Sequence, residues 1–240
     1  MRSYSRTDVG TKRDMNQDYL YCTESPIGSF RNLFIVADGM GGHAAGDEAS
    51  KRCVEGMVSY IANTDKTTPV SIFNDAISYA NQEVYNASIE NPSYTGMGTT
   101  VVAATIMDNI LYVANIGDSR LYLIRDDIKQ ITNDHSLVEE MVKRGDLTVS
   151  QARVHPQKNI ITRALGIDNV VHADYFEVSL AKGDRILLCS DGLTNMVDDY
   201  DLQYFVKHSS SPEEAVNNLV DRANESGGLD NITVILVENS

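Results

Sequence analysis

Five aspartates of this chain stand where a predicted strand begins or ends, next to a glycine, a glutamine or an asparagine. They are Asp18, Asp38, Asp118, Asp191 and Asp230. Carboxylates that crowd together repel one another, and several stay ionised only when a positive charge lies between them. All-oxygen ligand sets favour hard divalent ions such as Mg²⁺ or Mn²⁺ over zinc. Two such ions held about 4 Å apart can activate a water molecule and bind a phosphoryl oxygen.

Each of these aspartates also has a simpler interpretation. An aspartate followed by glycine or asparagine is a common turn, and a structural Ca²⁺ site is a further alternative, although the twelve-residue loop of an EF-hand is missing. Asp38 is the most suggestive of the five. It directly follows the apolar run 33–37, and the glycine-rich stretch after it allows a sharp turn of the backbone.

Composition limits the classes of protein. The chain has 240 residues, and 42% of them are hydrophobic, enough for the core of one large domain. The formal net charge of −14 disfavours nucleic acid and anionic membranes as partners, and any phosphate site must be locally positive. The sequence shows no signal peptide, no membrane-spanning run and no Cys-x-x-Cys pair. We therefore expect a cytoplasmic protein with reduced cysteines.

The hydrophobic periodicity predicts the elements that must position the aspartates. Strands are expected at 4–9, 19–23, 33–37, 99–107, 110–116, 120–125, 130–132, 175–178, 185–189 and 232–237, and helices at 49–61, 72–87, 136–144, 148–153, 201–207 and 212–224. The strands are grouped as hairpins and the helices as pairs. This order favours an α+β fold with two antiparallel sheets covered by helices, in a single domain spanning 1–240, over a doubly wound parallel sheet.

Several longer stretches together resemble one family. They are 7–18, 36–43, Gly46 with 48–50, 97–100, 114–120, 134–135, 189–193 and 227–233. In this order and over nearly the whole chain they resemble the bacterial branch of the metal-dependent protein serine/threonine phosphatases, the PP2C or PPM family. The resemblance implies a four-layer α-β-β-α sandwich, which agrees with the predicted grouping of strands and helices.

The resemblance also implies which residues bind metal. Asp38 corresponds to the carboxylate that bridges two metal ions, and the carbonyl of Gly39 to a further ligand. Asp191 and Asp230 correspond to ligands of the first ion, and Asp18 to a ligand or water-mediated partner of the second. The implied cofactors are Mn²⁺ or Mg²⁺, as two core ions and a third.

Other positions follow from the same resemblance. Asp118, together with Asp191, corresponds to the site of the third ion. Arg13 corresponds to the residue that binds the substrate phosphate, and its planar fork suits two phosphate oxygens; the alternative is a solvated arginine in a turn. The segment 145–161 corresponds to a flap beside the active site that affects substrate choice.

Two histidines and one arginine have further expected roles. His43 is a candidate general acid for the leaving alkoxide, since histidine titrates near neutral pH. A structural role for His43 and proton donation by a metal-bound water are the alternatives, because Met40 stands where eukaryotic relatives carry the histidine that follows Asp-Gly. His135 is expected to bond to the backbone, and Arg120 to form a structural ion pair.

The expected activity is metal-dependent hydrolysis of phosphoserine and phosphothreonine in proteins, in which a hydroxide bridging the metals attacks phosphorus. The expected partners are phosphorylated proteins, including a cytosolic serine/threonine kinase whose action the enzyme reverses, and the expected state is a monomer. Two alternatives remain: a catalytically silent binding module of the same fold, and a phosphatase dedicated to one regulatory antagonist.

Overall fold

Two antiparallel sheets form the centre of the molecule. The computed structural model describes residues 1–42 and 45–239. Within these residues the strands are β1 (Arg2–Asp8), β2 (Asp18–Thr23), β3 (Leu33–Met40), β4 (Gly98–Thr99), β5 (Val101–Met107), β6 (Ile110–Ile116), β7 (Arg120–Ile124), β8 (Ile128–Gln130), β9 (Asp174–Ser179), β10 (Arg185–Cys189) and β11 (Ile232–Glu238).

The strand order places the two ends of the chain side by side. One sheet has the order β1-β11-β10-β7-β8, and the other has the order β2-β3-β5-β6-β9, with β4 paired to β3. Strand β11 pairs with β1 along its full length, from Arg2 opposite Glu238 to Asp8 opposite Ile232. The prediction that the apolar run at 232–237 belongs to the core sheet is confirmed.

Helices cover the outer face of each sheet. The α-helices of the described residues are α1 (Ala45–Asn63), α2 (Pro69–Glu90), α3 (Leu137–Arg144), α4 (Val149–Arg153), α5 (Asp191–Thr194), α6 (Asp199–His208) and α7 (Pro212–Glu225). Helices α1 and α2 cover one sheet, and α5, α6 and α7 cover the other. None of the helices in the described part of the chain combines the length and the apolarity needed to cross a bilayer.

Three apolar layers account for the sandwich. Side chains of α1 and α2, such as Met57 and Phe73, pack on the sheet that contains β3 and β5. Leu219 of α7 belongs to a second layer, against the sheet that contains β10 and β11. A third layer lies between the sheets and includes Val36 and Leu188. Because each sheet is apolar on both faces, the strands read as nearly continuous hydrophobic runs, and the predicted four-layer fold is confirmed.

Local signals define the helix ends. The hydroxyl of Ser211 accepts a hydrogen bond from the backbone N–H of Glu214, and Pro212 occupies the first turn of α7. Helix α3 begins in the same way at Ser136 and ends at Gly145, which has a φ of 82°. Glycine adopts this left-handed conformation without a steric penalty.

Two local expectations were wrong, and one short helix was not expected. Strand β3 continues through Asp38 and Gly39 to Met40, because Gly39 pairs with Thr99 of β4. Asp191 follows β10 as expected but also begins α5, whose four residues are too few to show a helical period. The short strand expected at 130–132 lies at 128–130 instead.

Candidate metal centre

The two sheets bring three of the predicted carboxylates together. Asp18 and Asp38 lie directly opposite each other in the register of β2 and β3. Asp38 comes within hydrogen-bonding reach of Asp191, which follows β10 in the other sheet. The hydroxyl of Ser190 donates to Oδ2 of Asp18 at 2.7 Å and so joins the sheets at this point. Residues more than 170 positions apart therefore share one site.

Asp230 joins the group because β10 and β11 are antiparallel neighbours. Cys189 at the end of β10 pairs with Val234 near the start of β11, so the residues beyond these strand ends meet at one edge. Gly192 makes this approach possible, since a Cβ atom there would lie 1.9 Å from the carbonyl oxygen of Asn231. Oδ1 of Asp230 accepts the backbone N–H of Asn231 at 2.9 Å.

Asp118 lies in the turn between β6 and β7 and is buried. His135 holds this turn through two hydrogen bonds to Gly117. Its ring Nδ1 accepts the backbone N–H of Gly117 at 3.0 Å, and its backbone N–H donates to the carbonyl of Gly117. The expected backbone bond of His135 is confirmed. Arg120 forms its ion pair with Asp134, at 2.7 Å, and not with Asp118. The Asp118 carboxylate is therefore left to face the other aspartates.

Burial and mutual repulsion disfavour the ionised form of these carboxylates. The pKa of Asp38 is raised well above its usual range, first by burial and then by the charges of Asp18, Asp191, Asp118 and Asp230. Burial also raises the pKa of Asp18 to about 7, despite the hydrogen bond from Ser190. Burial and the charge of Asp191 raise the pKa of Asp118 to about 8. A cation among these groups would restore their ionised form.

A pH dependence of stability follows from these raised pKa values. A carboxyl group whose folded pKa exceeds its unfolded value stabilises the fold at low pH, and this contribution is lost as the pH rises through the folded pKa. For Asp18 and Asp118 the loss extends to about pH 7 and pH 8. We expect the melting temperature of the metal-free protein to fall by about 5–10 °C between pH 6.5 and pH 8.5. Differential scanning calorimetry in chelator measures this.

Two observations would test the cause of that fall. Excess Mn²⁺ should abolish it, because the cation stabilises the ionised carboxylates. His135 acts in the opposite sense, since burial lowers its pKa and its contribution is lost only as the pH falls below about 6.5. A melting temperature that stays level or rises from pH 6.5 to pH 8.5 in chelator would contradict the assignment of the raised pKa values.

Gly39 lies at the closest approach of three backbone segments. Its N–H donates to the carbonyl of Gln17 at 3.0 Å. A Cβ atom on Gly39 would lie 2.0 Å from the carbonyl oxygen of Gly46 and 2.6 Å from that of Gln17. Gly46 is equally restricted, because its own Cβ would lie 2.8 Å from the carbonyl oxygen of Gly39. The glycines at 39 and 46 therefore allow β3 and the start of α1 to pack beside Asp38.

Replacing Gly39 with alanine should consequently destabilise the protein. Backbone atoms cannot move aside as a flexible side chain can, and we expect a loss of about 2–4 kcal/mol in the free energy of unfolding. Urea denaturation measures it. Gly42→Ala is the matched control, because a Cβ there meets no atom of the described residues within 4 Å, and its effect should stay within about 1 kcal/mol. Equal effects of the two substitutions would refute the packing argument.

The side chains fit a site for a hard divalent cation. Their ligand atoms are carboxylate oxygens, and among the described residues Oδ1 of Asp18 is buried without a hydrogen-bond partner. In the described ranges, no three Asp, Glu, His or Cys side chains already form a complete set of metal ligands. Two of the carboxylates instead accept hydrogen bonds from other side chains: Arg13 donates to Oδ2 of Asp230 at 2.7 Å, and Asn195 donates to Oδ2 of Asp191 at 2.9 Å. The carboxylates are gathered, and some of them are turned toward these donors.

The structure places the remaining predicted residues as follows. Arg13 lies at this site and is about half exposed, with its guanidinium paired to Asp230. His43 lies outside the described residues. The predicted flap, 145–161, contains α4, and Arg153 at its end forms an exposed ion pair with Asp199 at 3.3 Å. Among the residues that the structure describes, Arg13 is thus the basic side chain that pairs directly with one of the five predicted carboxylates.

Sequence reasoning missed the asparagines that support the site. The side chain of Asn231 holds the loop between β1 and β2 at three points: it accepts the backbone N–H of Gln17 at 2.8 Å and donates to the carbonyls of Val9 and Met15, each at 2.9 Å. Asn195 lies one helical turn after Asp191, and its side chain donates a hydrogen bond to the Asp191 carboxylate. The position of Asn231 directly after Asp230 was the one signal available in the sequence.

Comparison with known proteins adds independent findings. The profile described as Protein phosphatase 2C matches residues 12–232. Protein phosphatase PhpP of Streptococcus pneumoniae is 42% identical over 235 residues, which cover 96% of this chain and 94% of the relative. The solved serine/threonine phosphatase of S. agalactiae superposes with a TM-score of 0.93 at 37% identity, covering 100% of this chain and 99% of the other.

A further solved relative was determined with metal. The catalytic domain of the serine/threonine protein phosphatase PstP, in complex with two manganese ions, superposes with a TM-score of 0.87 at 32% identity. This alignment covers 99% of the present chain and 97% of the other. The range matched by the family profile, 12–232, includes the positions of all five predicted carboxylates. The chain described here therefore belongs to the protein phosphatase 2C family.

Proposed function

We propose that this protein hydrolyses phosphoserine and phosphothreonine in phosphorylated proteins and that it needs Mn²⁺ or Mg²⁺ to do so. The observation that carries the proposal is the gathering of carboxylates from both sheets, where Asp38 meets Asp18 on one side and Asp191 on the other. Several like charges in a buried site are costly unless cations neutralise them. The manganese ions of the solved PstP relative support the same conclusion.

The aspartates would hold two ions, with Asp38 between them and Asp191, Asp230 and Asp18 around them. The carbonyl of Gly39 would add a neutral oxygen. When bound, the ions supply an acidified water and stabilise negative charge on the phosphoryl oxygens. The chain itself fixes the positions of the ligands, since Ser190 holds Asp18 and pre-organised ligands avoid the cost of rearrangement.

Arg13 would bind the phosphoryl group of the substrate. Its side chain is half exposed and contacts Oδ2 of Asp230 through one guanidinium nitrogen, so it stands beside the proposed ions and is accessible from solvent. A planar guanidinium binds two oxygens of a phosphate at once. It also supplies positive charge in a protein whose formal net charge is −14.

A third ion would be held by Asp118 and Asp191, which both line a cavity of about 350 Å³. The same cavity is lined by Val149 and Arg153 of the proposed flap, 145–161, a placement consistent with contact between the flap and a bound phosphoprotein. The kinase whose action is reversed, the monomeric state, the cytoplasmic location and the role of His43 stay predictions.

The test is the release of phosphate from a phosphothreonine peptide. Wild-type protein with Mn²⁺ should release phosphate at a rate of about 1 s⁻¹ or more, and chelator should abolish the release. Calorimetric titration with Mn²⁺ should show two ions, and a third that disappears in Asp118→Asn. A wild-type protein that binds Mn²⁺ but releases no phosphate from peptides of varied sequence would favour the silent binding module.

A further inference from the structure

A lysine of the proposed flap is connected to a proposed metal ligand through a single asparagine. Nζ of Lys158 donates to Oδ1 of Asn195 at 2.9 Å, and Nδ2 of Asn195 donates to Oδ2 of Asp191 at 2.9 Å. Both hydrogen bonds are partly buried. The three side chains line the same cavity of about 350 Å³. The chain of bonds runs from the flap to the edge of the carboxylate group.

Chemistry fixes the direction of this connection. An ammonium group can only donate hydrogen bonds, and an ionised carboxylate can only accept them. The amide of Asn195 must therefore turn its oxygen toward Lys158 and its NH₂ group toward Asp191. In the reversed orientation the NH₂ group of Asn195 would face the ammonium of Lys158, donor against donor. Its carbonyl oxygen would face the carboxylate of Asp191, acceptor against acceptor. Lys158 thus determines which end of the Asn195 amide faces Asp191.

The C-terminal end of the flap is held by backbone contacts of residues 160 and 161 with 136 and 137, whereas its outer side is loosely attached. Helix α4 has only five residues, and none of them is buried. Val149 and Val154 are 66% and 81% exposed. The ion pair of Arg153 with Asp199 joins two half-exposed side chains, and such pairs contribute little. The partly buried bond of Lys158 to Asn195 is therefore well placed to set the position of the flap relative to α5.

We propose that Lys158 and Asn195 are positioning residues for Asp191. They hold one oxygen of its carboxylate, so that the affinity for a divalent cation depends on the flap, and cation binding in turn orders the flap. Groups that orient a metal ligand typically change metal affinity by about 10–100-fold when removed, and coupling between two sites is reciprocal. The inference rests on the proposed metal-dependent function.

The direction in which the Mn²⁺ affinity changes when Lys158 is replaced distinguishes a positioning role from a simple effect of its charge. Lys158 carries a positive charge near a cation site, so removal of the charge alone would tighten Mn²⁺ binding. Loss of positioning would weaken it. Lys158→Met removes the charge and the donor with little change of volume, and Lys158→Arg keeps both. Lys143→Met is the matched control, because Lys143 is exposed and pairs only loosely with Glu139, at 3.7 Å.

Isothermal titration of each variant with Mn²⁺ provides the first readout. Asp191→Asn identifies the binding step to follow. We expect the dissociation constant of that step to rise about 3–10-fold in Lys158→Met and about 10–100-fold in Asn195→Ala. Lys158→Arg and Lys143→Met should resemble wild type. The double variant, Lys158→Met with Asn195→Ala, should have the same dissociation constant as Asn195→Ala alone, because the lysine acts through the asparagine.

Hydrogen–deuterium exchange provides the second readout. Mn²⁺ should slow exchange of the amides of 146–160 in wild type and no longer do so in Asn195→Ala, while the amides of β11 stay protected in both. Tighter or unchanged Mn²⁺ binding in Lys158→Met, additive effects in the double variant, or flap exchange that ignores Mn²⁺ in wild type would each overturn the inference. Wild-type release of phosphate remains a separate test of the proposed function.

Discussion

Asp38→Asn should reduce kcat/KM for a phosphothreonine peptide by about 1000-fold or more at saturating Mn²⁺. Asp38 stands between the carboxylates of both sheets, with Asp18 opposite it and Asp191 within hydrogen-bonding reach. An amide supplies one neutral oxygen in place of two charged ones, so it cannot bridge two cations with the same strength. The expected loss corresponds to about 4 kcal/mol of transition-state stabilisation. Steady-state kinetics of phosphate release measure it.

The same substitution should make the metal-free protein more stable. Burial and neighbouring charges raise the pKa of Asp38, and an amide removes that repulsion and can donate to Asp191. At pH 8 in chelator we expect a gain of about 1–2 kcal/mol in the free energy of unfolding. Opposite changes in activity and stability distinguish a functional carboxylate from a structural one, whose removal would lower both.

Asp127→Asn is the control for this pair of measurements. Asp127 lies on an exposed turn between β7 and β8, and the substitution removes one negative charge from the protein without touching the site. Its activity and stability should stay close to those of wild type. The role assigned to Asp38 fails if Asp38→Asn keeps more than a tenth of wild-type activity or loses stability in chelator.

Arg13→Ala should lower kcat/KM by about 30–100-fold. A charge-assisted, bidentate contact with phosphate contributes about 2–3 kcal/mol, and the substitution removes all of it. Arg13→Lys keeps the charge but not the fork, so its loss should be smaller, about 10-fold. Inhibition by inorganic phosphate should weaken in parallel, because the same group binds both.

The Mn²⁺ affinity of Arg13→Ala should not fall together with its kcat/KM. In the present structure Arg13 holds Oδ2 of Asp230 at 2.7 Å, and Arg13→Ala frees this oxygen for a cation. We expect Mn²⁺ to bind at least as tightly as in wild type by calorimetric titration. Lys12→Ala is the control, since it removes a positive charge from the adjacent exposed position. Equal losses in Arg13→Ala and Lys12→Ala would mean that a general positive field, and not a specific contact, attracts the phosphate.

The fold was largely predictable because its strands are apolar on both faces. Runs such as Val101–Met107 and the strand at 232–238 have few polar interruptions, so hydrophobicity alone marks them. Helix α5 escaped prediction because four residues cannot display a helical period. The extension of β3 through Gly39 depends on Thr99, some sixty residues away, and no local pattern contains that information.

The approach of the carboxylates was also predictable, because aspartates near strand ends lie close together when those ends share one edge of a sandwich. Their supporting contacts were not. Arg13 meets Asp230 across 217 positions, and Asn231 meets Gln17 across 214. Such pairs depend on the final docking of the loop before β2 onto the turn before β11. Asn195 needed the structure for a different reason, since its partner Lys158 lies in the segment with the weakest hydrophobic pattern.

The pairing of β1 with β11 has a consequence for synthesis of the protein. Arg2–Asp8 finds its partner only when residues 232–238 have left the ribosome, so β1 must wait for a strand made more than about 220 residues later. Sheets that depend on such distant pairings form late and slowly. The carboxylates carried by β2 and β3 therefore meet Asp230 only after nearly all of the sandwich has been made. A nascent chain that stops before β11 lacks the strand that joins β1 to β10 in this sheet.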